Sequence, residues 1–273
     1  MRVSVIAPVL NEAPWIGYSI LSCLDNVHEF VYALDEKSDD GTRELLSHVK
    51  DHYAHEKLKV LETPNFHPSD MKAYNQAFND CIEASTGDAC WFYHPDMVVT
   101  KWKDLEEGPL AWTTQLTSYA GDFNTVITKG RVTRWKNIHS KLFSLHYFGG
   151  YGSQNEDFYH KDITGTTYKH YGEEFSKYPF RVEESGIEVS HFCELKPYKR
   201  RYEKMKLCLK TQYPNAEETV IEEMAGHHPR VHLQSGPSKF GEFVFTRTDG
   251  NVPEVVKKYK DEFESFTRSL VHA

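Results

Sequence analysis

The sequence has no Cys-x-x-Cys pair. Its 5 cysteines (Cys23, Cys81, Cys90, Cys193 and Cys208) are scattered and odd in number. That spacing excludes a four-cysteine zinc site and a disulfide framework, and points to reduced, mostly buried thiols in a cytoplasmic protein. No apolar run reaches the roughly 18 residues of a membrane-crossing helix. The opening stretch Val3–Leu10 is apolar but short, is broken by Pro8 and has no small-residue cleavage pattern after it, so no signal peptide is expected. The 15 histidines include no His-Glu-x-x-His, which argues against a dedicated zinc enzyme. There is no Walker A loop, and Gly149-Gly-Tyr-Gly152 follows an aromatic stretch rather than a strand, so it reads as a loop and not a dinucleotide motif. Positive charge is in deficit: 32 Lys and Arg face 40 Asp and Glu, a net charge of -8. Proteins that coat nucleic acid are generally basic overall, so that class is disfavoured, although a local basic surface is not.

What is present suits a folded chain. The 273 residues are 39% hydrophobic and 26% charged, enough apolar material for a sizeable core. The first hundred residues alternate in type. Val3–Ala7 is a β-branched run stopped by Pro8. Residues 14–24 carry Ile16, Ile20 and Leu24 at helical spacing. Strands are expected at 29–34, 59–62 and 89–93, and helices at 42–50 and 71–84. Strand–helix alternation of this kind predicts an α/β fold, a mostly parallel sheet with helices on both faces. In such sheets ligands bind beyond the carboxyl ends of the strands, where Asn11-Glu12, Asp35-Glu36 and His94-Pro-Asp96 fall. After residue 100 the alternation stops. Residues 143–180 hold 11 aromatics and no long helical period, which reads as a loop-rich second half lining a pocket. Helices are expected at 197–213 and 253–270; Val256, Tyr259, Phe263, Phe266 and Leu270 step along one face of the second, which should pack on the domain. The chain is read as one continuous unit with a first part at 1–100, a second at 101–215 and an extension at 216–273.

Val3-Ser-Val-Ile-Ala-Pro-Val-Leu-Asn-Glu12, followed by Val31-Tyr-Ala-Leu-Asp-Glu-Lys-Ser-Asp-Asp-Gly-Thr42, resembles the opening of glycosyltransferase family 2. Lys72-Ala-Tyr-Asn75, Gly87-Asp88 and Trp91-Phe-Tyr-His-Pro-Asp96 are similar to later segments of that family, in order. The resemblance is close over about residues 2–100 and weaker beyond. It implies a GT-A, Rossmann-like fold with an acceptor-binding second half and C-terminal helices. It also implies an inverting transfer of a sugar from a nucleotide-sugar, UDP-linked, to an acceptor hydroxyl.

The resemblance assigns Pro8, Asn11, Glu12, Asp35, Ser38, Lys72, His94 and Asp96 to the donor. Carboxylates at strand ends accept hydrogen bonds from base N–H and ribose hydroxyl groups, and Asp35 is the expected base or ribose contact. Asp35 and Asp40 are also ordinary turn-capping residues. A carboxylate facing a diphosphate repels it, so the resemblance implies an intervening Mn²⁺ or Mg²⁺ on Asp96 and His191. His94 stands where the family has an acid. It retains ligand chemistry but adds no negative charge. In Ser153-Gln-Asn-Glu-Asp-Phe158 the resemblance makes Asp157 the general base and Glu156 its neighbour. Both acids also suit a helix N-terminus.

Residues 196–210 hold Lys196, Lys199, Arg200, Arg201, Lys204, Lys206 and Lys210 against Glu203 alone. A solvated helix face, stabilisation of a leaving diphosphate, and contact with an anionic lipid or nucleic-acid surface all fit this run. The acceptor is correspondingly open: a saccharide, a lipid-linked glycan, or a hydroxylated base of modified DNA. Two rivals remain, a non-catalytic sugar-nucleotide-binding protein on the same scaffold and a nucleotidyltransferase. The second is disfavoured because Pro8–Glu12 is not a Gly-rich basic loop.

Overall fold

The computed structural model describes residues 1–63, 71–107, 111–129, 135–140, 146–148, 159–161, 167–169, 181–196, 198–213, 215–238, 241–250 and 252–271. The first part runs β1 (Val3–Val9), α1 (Ile16–Cys23), β2 (Glu29–Asp35), α2 (Thr42–Val49), β3 (Leu58–Thr63), α3 (Met71–Ala84) and β4 (Ala89–Phe92). Then come β5 (Met97–Lys101), β6 (Ala111–Ala120), β7 (Asp122–Lys129) and β8 (Trp135–Ser140). Three short strands, β9 (His146–Phe148), β10 (Tyr159–Lys161) and β11 (Thr167–Lys169), pair antiparallel as a separate small sheet. The chain continues with β12 (Val182–Glu194), α4 (Tyr198–Gln212), α5 (Glu218–Gly226), α6 (Pro229–His232), β13 (Gly236–Ser238), β14 (Gly241–Arg247) and α7 (Glu254–Val271).

The expected α/β fold is present. Strands β3, β2, β1 and β4 lie side by side in that order, every pair parallel. Alternation along each strand sends neighbouring side chains to opposite faces. Val3, Val5, Ala7 and Val9 join Phe30, Tyr32, Leu34 and Trp91 on one face, covered by α1, α2 and α7. Ile6, Val31, Ala33, Cys90 and Phe92 face the other way, against Ala77, Phe78, Cys81 and Ile82 of α3. Beyond β4 the sheet continues through β8, β6, β7 and β14; β8 is antiparallel to both β4 and β6, while β12 runs parallel to β6 and antiparallel to β5.

Pro8 does not end β1. The strand runs on to Val9, pairing Pro8 with Ala33 and Val9 with Leu34 of β2. The physical reason is the side on which the missing N–H falls. Ile6 turns its carbonyl towards β4, where it accepts from Tyr93 N. Two residues on, Pro8 presents its nitrogen to the same side, beyond the last β1–β4 pair at Ile6 and Phe92. No ladder bond is lost there.

The C-terminal helix packs on its own domain as expected. Val256 and Phe263 are buried in the main core, and Phe263 meets Tyr18 of α1 edge-on at 5.0 Å between ring centroids. Glu262 ties α7 to the segment after α2, accepting from Tyr53 Oη at 2.7 Å and lying 2.9 Å from His48 Nε2.

Candidate functional site

The polar residues singled out in the sequence gather at the carboxyl ends of β1, β2 and β4. Two loops meet there. Asn11, in the left-handed region at φ 56°, donates its N–H to Ser38 Oγ (3.2 Å) and accepts from Asp39 N at its Oδ1 (2.9 Å). Glu12 N donates to Thr42 Oγ1 at 2.8 Å, and Asp40 accepts from Thr42 N and Ala13 N. These bonds stitch the β1–α1 turn to the β2–α2 turn. Ser38 and Asp40 therefore act on backbone and loop partners, and the turn-capping reading holds for Asp40.

Asp35 ends β2 and is 1% exposed. Its Oδ1 accepts from Lys37 N at 2.8 Å, while Oδ2 is buried without a hydrogen-bond partner. Buried acceptors of this kind are rare in folded chains because leaving one unmade costs roughly 1–3 kcal/mol. It sits at the strand end where the α/β fold receives ligands.

Asp96 follows β4. Its carboxylate is 3% exposed, with His191 Nε2 of β12 at 3.3 Å from Oδ1 and Lys196 Nζ at 3.2 Å from Oδ2. Lys204 Nζ is 3.8 Å from the same Oδ2. Burial opposes this charge, but Lys196, His191 and Lys204 outweigh it and hold Asp96 well below the usual carboxylate range. Lys196 is itself buried and donates to both oxygens of Glu12 at 2.8 Å. Burial pulls the Lys196 ammonium down; Glu12 and Asp96 more than reverse that and raise it. Burial pushes Glu12 up, partly countered by Lys196. His94 lies 6.3 Å from His191 between ring centroids, and burial drives its imidazole down to about 4, with His191, Lys204 and Lys196 adding to the fall against Asp96. His94 is thus a neutral hydrogen-bonding group at pH 7.

The sequence brings Asp96 and His191 together as expected. It did not announce the cation between Asp96 and Glu12. Arg200 and Lys204 lie four residues apart on one face of α4, and Lys196 stands in the bend just before that helix. The three side chains meet the strand ends: Lys196 reaches Glu12 and Asp96, Lys204 reaches Asp96, and Arg200 reaches Asp40 Oδ2 (3.1 Å) and the Asn11 carbonyl (2.9 Å). The four-residue spacing of Arg200 and Lys204 was an available signal; Lys196, ahead of the helix, had none. The other basic residues of this run turn elsewhere. Lys206 pairs with Glu218 and Glu222, Lys210 with Glu218, and Arg201 donates to the Val231 carbonyl.

These residues do not fit the divalent cation expected at Asp96 and His191. A hard divalent ion needs oxygen ligands at about 2.0–2.6 Å, and Asp96 Oδ2 has the ammonium groups of Lys196 at 3.2 Å and Lys204 at 3.8 Å for neighbours. Among the described residues no three His, Cys, Asp or Glu side chains converge as a ligand set.

Of the remaining assigned residues, Pro8 is buried inside β1 and Lys72 lies in the first turn of α3. Glu156 and Asp157 lie outside the described residues. Gly87-Asp88 sits at the opposite end of the sheet, where Asp88 binds Arg2 N at 2.8 Å and Arg2 Nη2 at 2.9 Å. That pair is structural.

A search of curated proteins gives no match. Among solved structures, the crystal structure of S. aureus TarS 1-349 is similar at 14% identity and a TM-score of 0.34, covering 82% of this chain and 69% of that one. A crystal structure of a mycobacterial protein is similar at 12% identity and a TM-score of 0.33, covering 79% and 76%. The family profile described as Glycosyl transferase family 2 matches residues 4–180, well over half of the chain. With the motifs of the first hundred residues in order and their polar members gathered at one end of the parallel strands, the chain belongs to glycosyl transferase family 2.

Proposed function

We propose that the chain is an inverting glycosyltransferase that takes its sugar from a UDP-linked donor. The observation that carries the reading is the buried, unpartnered Oδ2 of Asp35 at the end of β2. A base N–H or a ribose hydroxyl supplies the missing donor and recovers the cost of the orphaned acceptor. Asn11 and Ser38 hold the wall of this subsite by binding each other across two loops. Neutral His94 adds a hydrogen-bonding group beside the diphosphate and no negative charge to repel it. In the transfer, the acceptor oxygen attacks the anomeric carbon from the face opposite the leaving diphosphate. Asp157 takes the acceptor's proton, with Glu156 orienting it. The buried free thiols Cys23, Cys81 and Cys90 suit a reducing compartment, in keeping with a cytoplasmic enzyme.

A saccharide, free or lipid-linked, is the acceptor this reading favours. Five of the seven basic residues at 196–210 pair with carboxylates of the same chain, so that run supports a nucleic-acid or anionic-lipid surface poorly. The test measures nucleotide release from UDP-, GDP- and TDP-sugars with a glycan acceptor panel, alongside calorimetric binding of UDP. Asp35→Ala should weaken UDP binding by about 10- to 100-fold, the worth of one charge-assisted hydrogen bond. Asp157→Asn should abolish transfer and keep UDP binding. Unchanged UDP affinity in Asp35→Ala, or full transfer by Asp157→Asn, removes the corresponding assignment.

A further inference from the structure

The basic residues at the entry to α4 stand against the acidic strand ends. Glu12 and Asp96 are two carboxylates at the strand ends where the donor-site reading puts the diphosphate, and two lysines stand against them. Lys196 is 6% exposed; its ammonium donates to both oxygens of Glu12 and stands 3.2 Å from Asp96 Oδ2 as an ion pair, without a hydrogen bond to that oxygen. Lys204 Nζ lies 3.8 Å from the same Asp96 oxygen, and its side chain is half-exposed. Two carboxylates and two ammonium groups sum to zero charge, the balance that a divalent cation on two carboxylates would give. A cation entering would have to displace Lys196 from Asp96 and sit against both remaining ammonium charges.

We propose that Lys196 and Lys204 replace the divalent metal of this glycosyltransferase, Lys196 by neutralising Glu12 and Asp96 and Lys204 by binding the diphosphate. The proposal rests on the donor-site reading above. In the transfer step the bond from the acceptor oxygen to the anomeric carbon forms while the bond from that carbon to the β-phosphate oxygen breaks. The electron pair leaves on that oxygen, and the acceptor's proton passes to Asp157. Lys204 keeps its protons and donates to the diphosphate as a point charge. Lys196 acts through Asp96 and is a positioning residue: with it in place, an anion approaches a neutral rather than a doubly negative wall.

Three measurements test this, each with a readout other than turnover. UDP binding by calorimetry in excess EDTA should match binding in saturating Mn²⁺ to within about threefold. Lys204→Gln should weaken UDP by at least about tenfold and leave uridine, which lacks the diphosphate, within about twofold. Electron paramagnetic resonance with Mn²⁺ alone should show no saturable binding to the native protein, and a new site in Lys196→Met, where Glu12 and Asp96 lose their cation. Should Lys196→Met fail to fold, the EDTA and Lys204→Gln results decide. UDP binding that requires Mn²⁺, Mn²⁺ binding by the native protein, or equal loss of UDP and uridine in Lys204→Gln each overturns the proposal and leaves the donor site standing. If UDP, GDP, TDP and uridine all fail to bind with and without Mn²⁺, the donor-site reading fails and takes the proposal with it.

Discussion

Replacing Gly87 by Ala separates a structural motif from a functional one. Gly87 belongs to a segment that the family resemblance joins to the donor site, yet it lies at the amino ends of the strands. A Cβ built on it would stand 2.5 Å from Ser4 Oγ, 2.8 Å from the Arg2 carbonyl oxygen and 2.9 Å from Ser4 N. Two of those atoms are backbone, one in β1 and one just before it, and cannot swing aside. Gly87 N also donates to Ser4 Oγ at 2.9 Å, and that hydroxyl donates in turn to Glu29 Oε1 at 2.8 Å. Overpacking costs roughly 1–3 kcal/mol and the strained hydrogen bond about 1 kcal/mol more. Reduced freedom of the unfolded chain returns about 0.4–1 kcal/mol, so Gly87→Ala should destabilise by roughly 2–3 kcal/mol. At about 2–4 °C per kcal/mol for a chain of this size, the thermal midpoint should fall by roughly 4–12 °C. Circular dichroism melts measure it, and UDP calorimetry well below the midpoint should give native affinity. A midpoint unchanged within error refutes the close approach. Lost UDP binding at native stability refutes the structural assignment of the Gly-Asp pair.

Two further outcomes follow from other contacts. Burial alone would raise Glu29, but Lys59, Thr86 and Ser4 outweigh it and bring its carboxyl down to about 2. A folded-state value below the unfolded one contributes stability above the unfolded value, lost as pH falls through about 4.5 towards 2; Glu29→Gln should lower the urea midpoint at pH 7 and flatten its decline across that acid window, and a parallel decline in both proteins would contradict this. Arg200→Lys keeps the charge but not the planar fork that spans Asp40 and the Asn11 carbonyl; since Asp40 retains Thr42 and Ala13, stability should drop by only about 1 kcal/mol, while UDP binding weakens severalfold through the loosened β1–α1 turn. Native UDP affinity in that variant would show that the turn does not need Arg200.

Legibility in the sequence followed the strength of the local period. Helix α3 runs over 71–84 as expected, and β2, β3, β4, α2, α4 and α7 fall within one or two residues of their expected ends. Each has a hydrophobic stripe or a β-branched run that sets its period without outside help. Strand β12 had no such mark. It has 13 residues with Gly186 at φ 75° and register shifts between Glu184 and Glu188 and between His191 and Glu194, so its alternation is broken twice. Its existence depends on pairing with β5 and β6, a tertiary fact. The site divided in the same way. Asp35, Asp96 and Asn11 were legible because strand ends and turns are local. His191 came from the resemblance alone. The pairing of Lys196 with Glu12 joins residues 184 apart, and no local period announced it because Lys196 stands in the bend before α4.

That separation has a temporal side. At roughly 5–20 residues per second, a ribosome reaches Lys196 about 10–40 s after Glu12 has been made. Over that interval the four parallel strands and α1, α2 and α3 can begin to assemble, because they are complete by residue 92, although α7 is made later. The two carboxylates at its polar end wait without their counter-charge. The ligand-facing end of the parallel strands therefore matures well after the strands themselves are made, and cleavage anywhere between Asp96 and Lys196 would divide the charges that complete it.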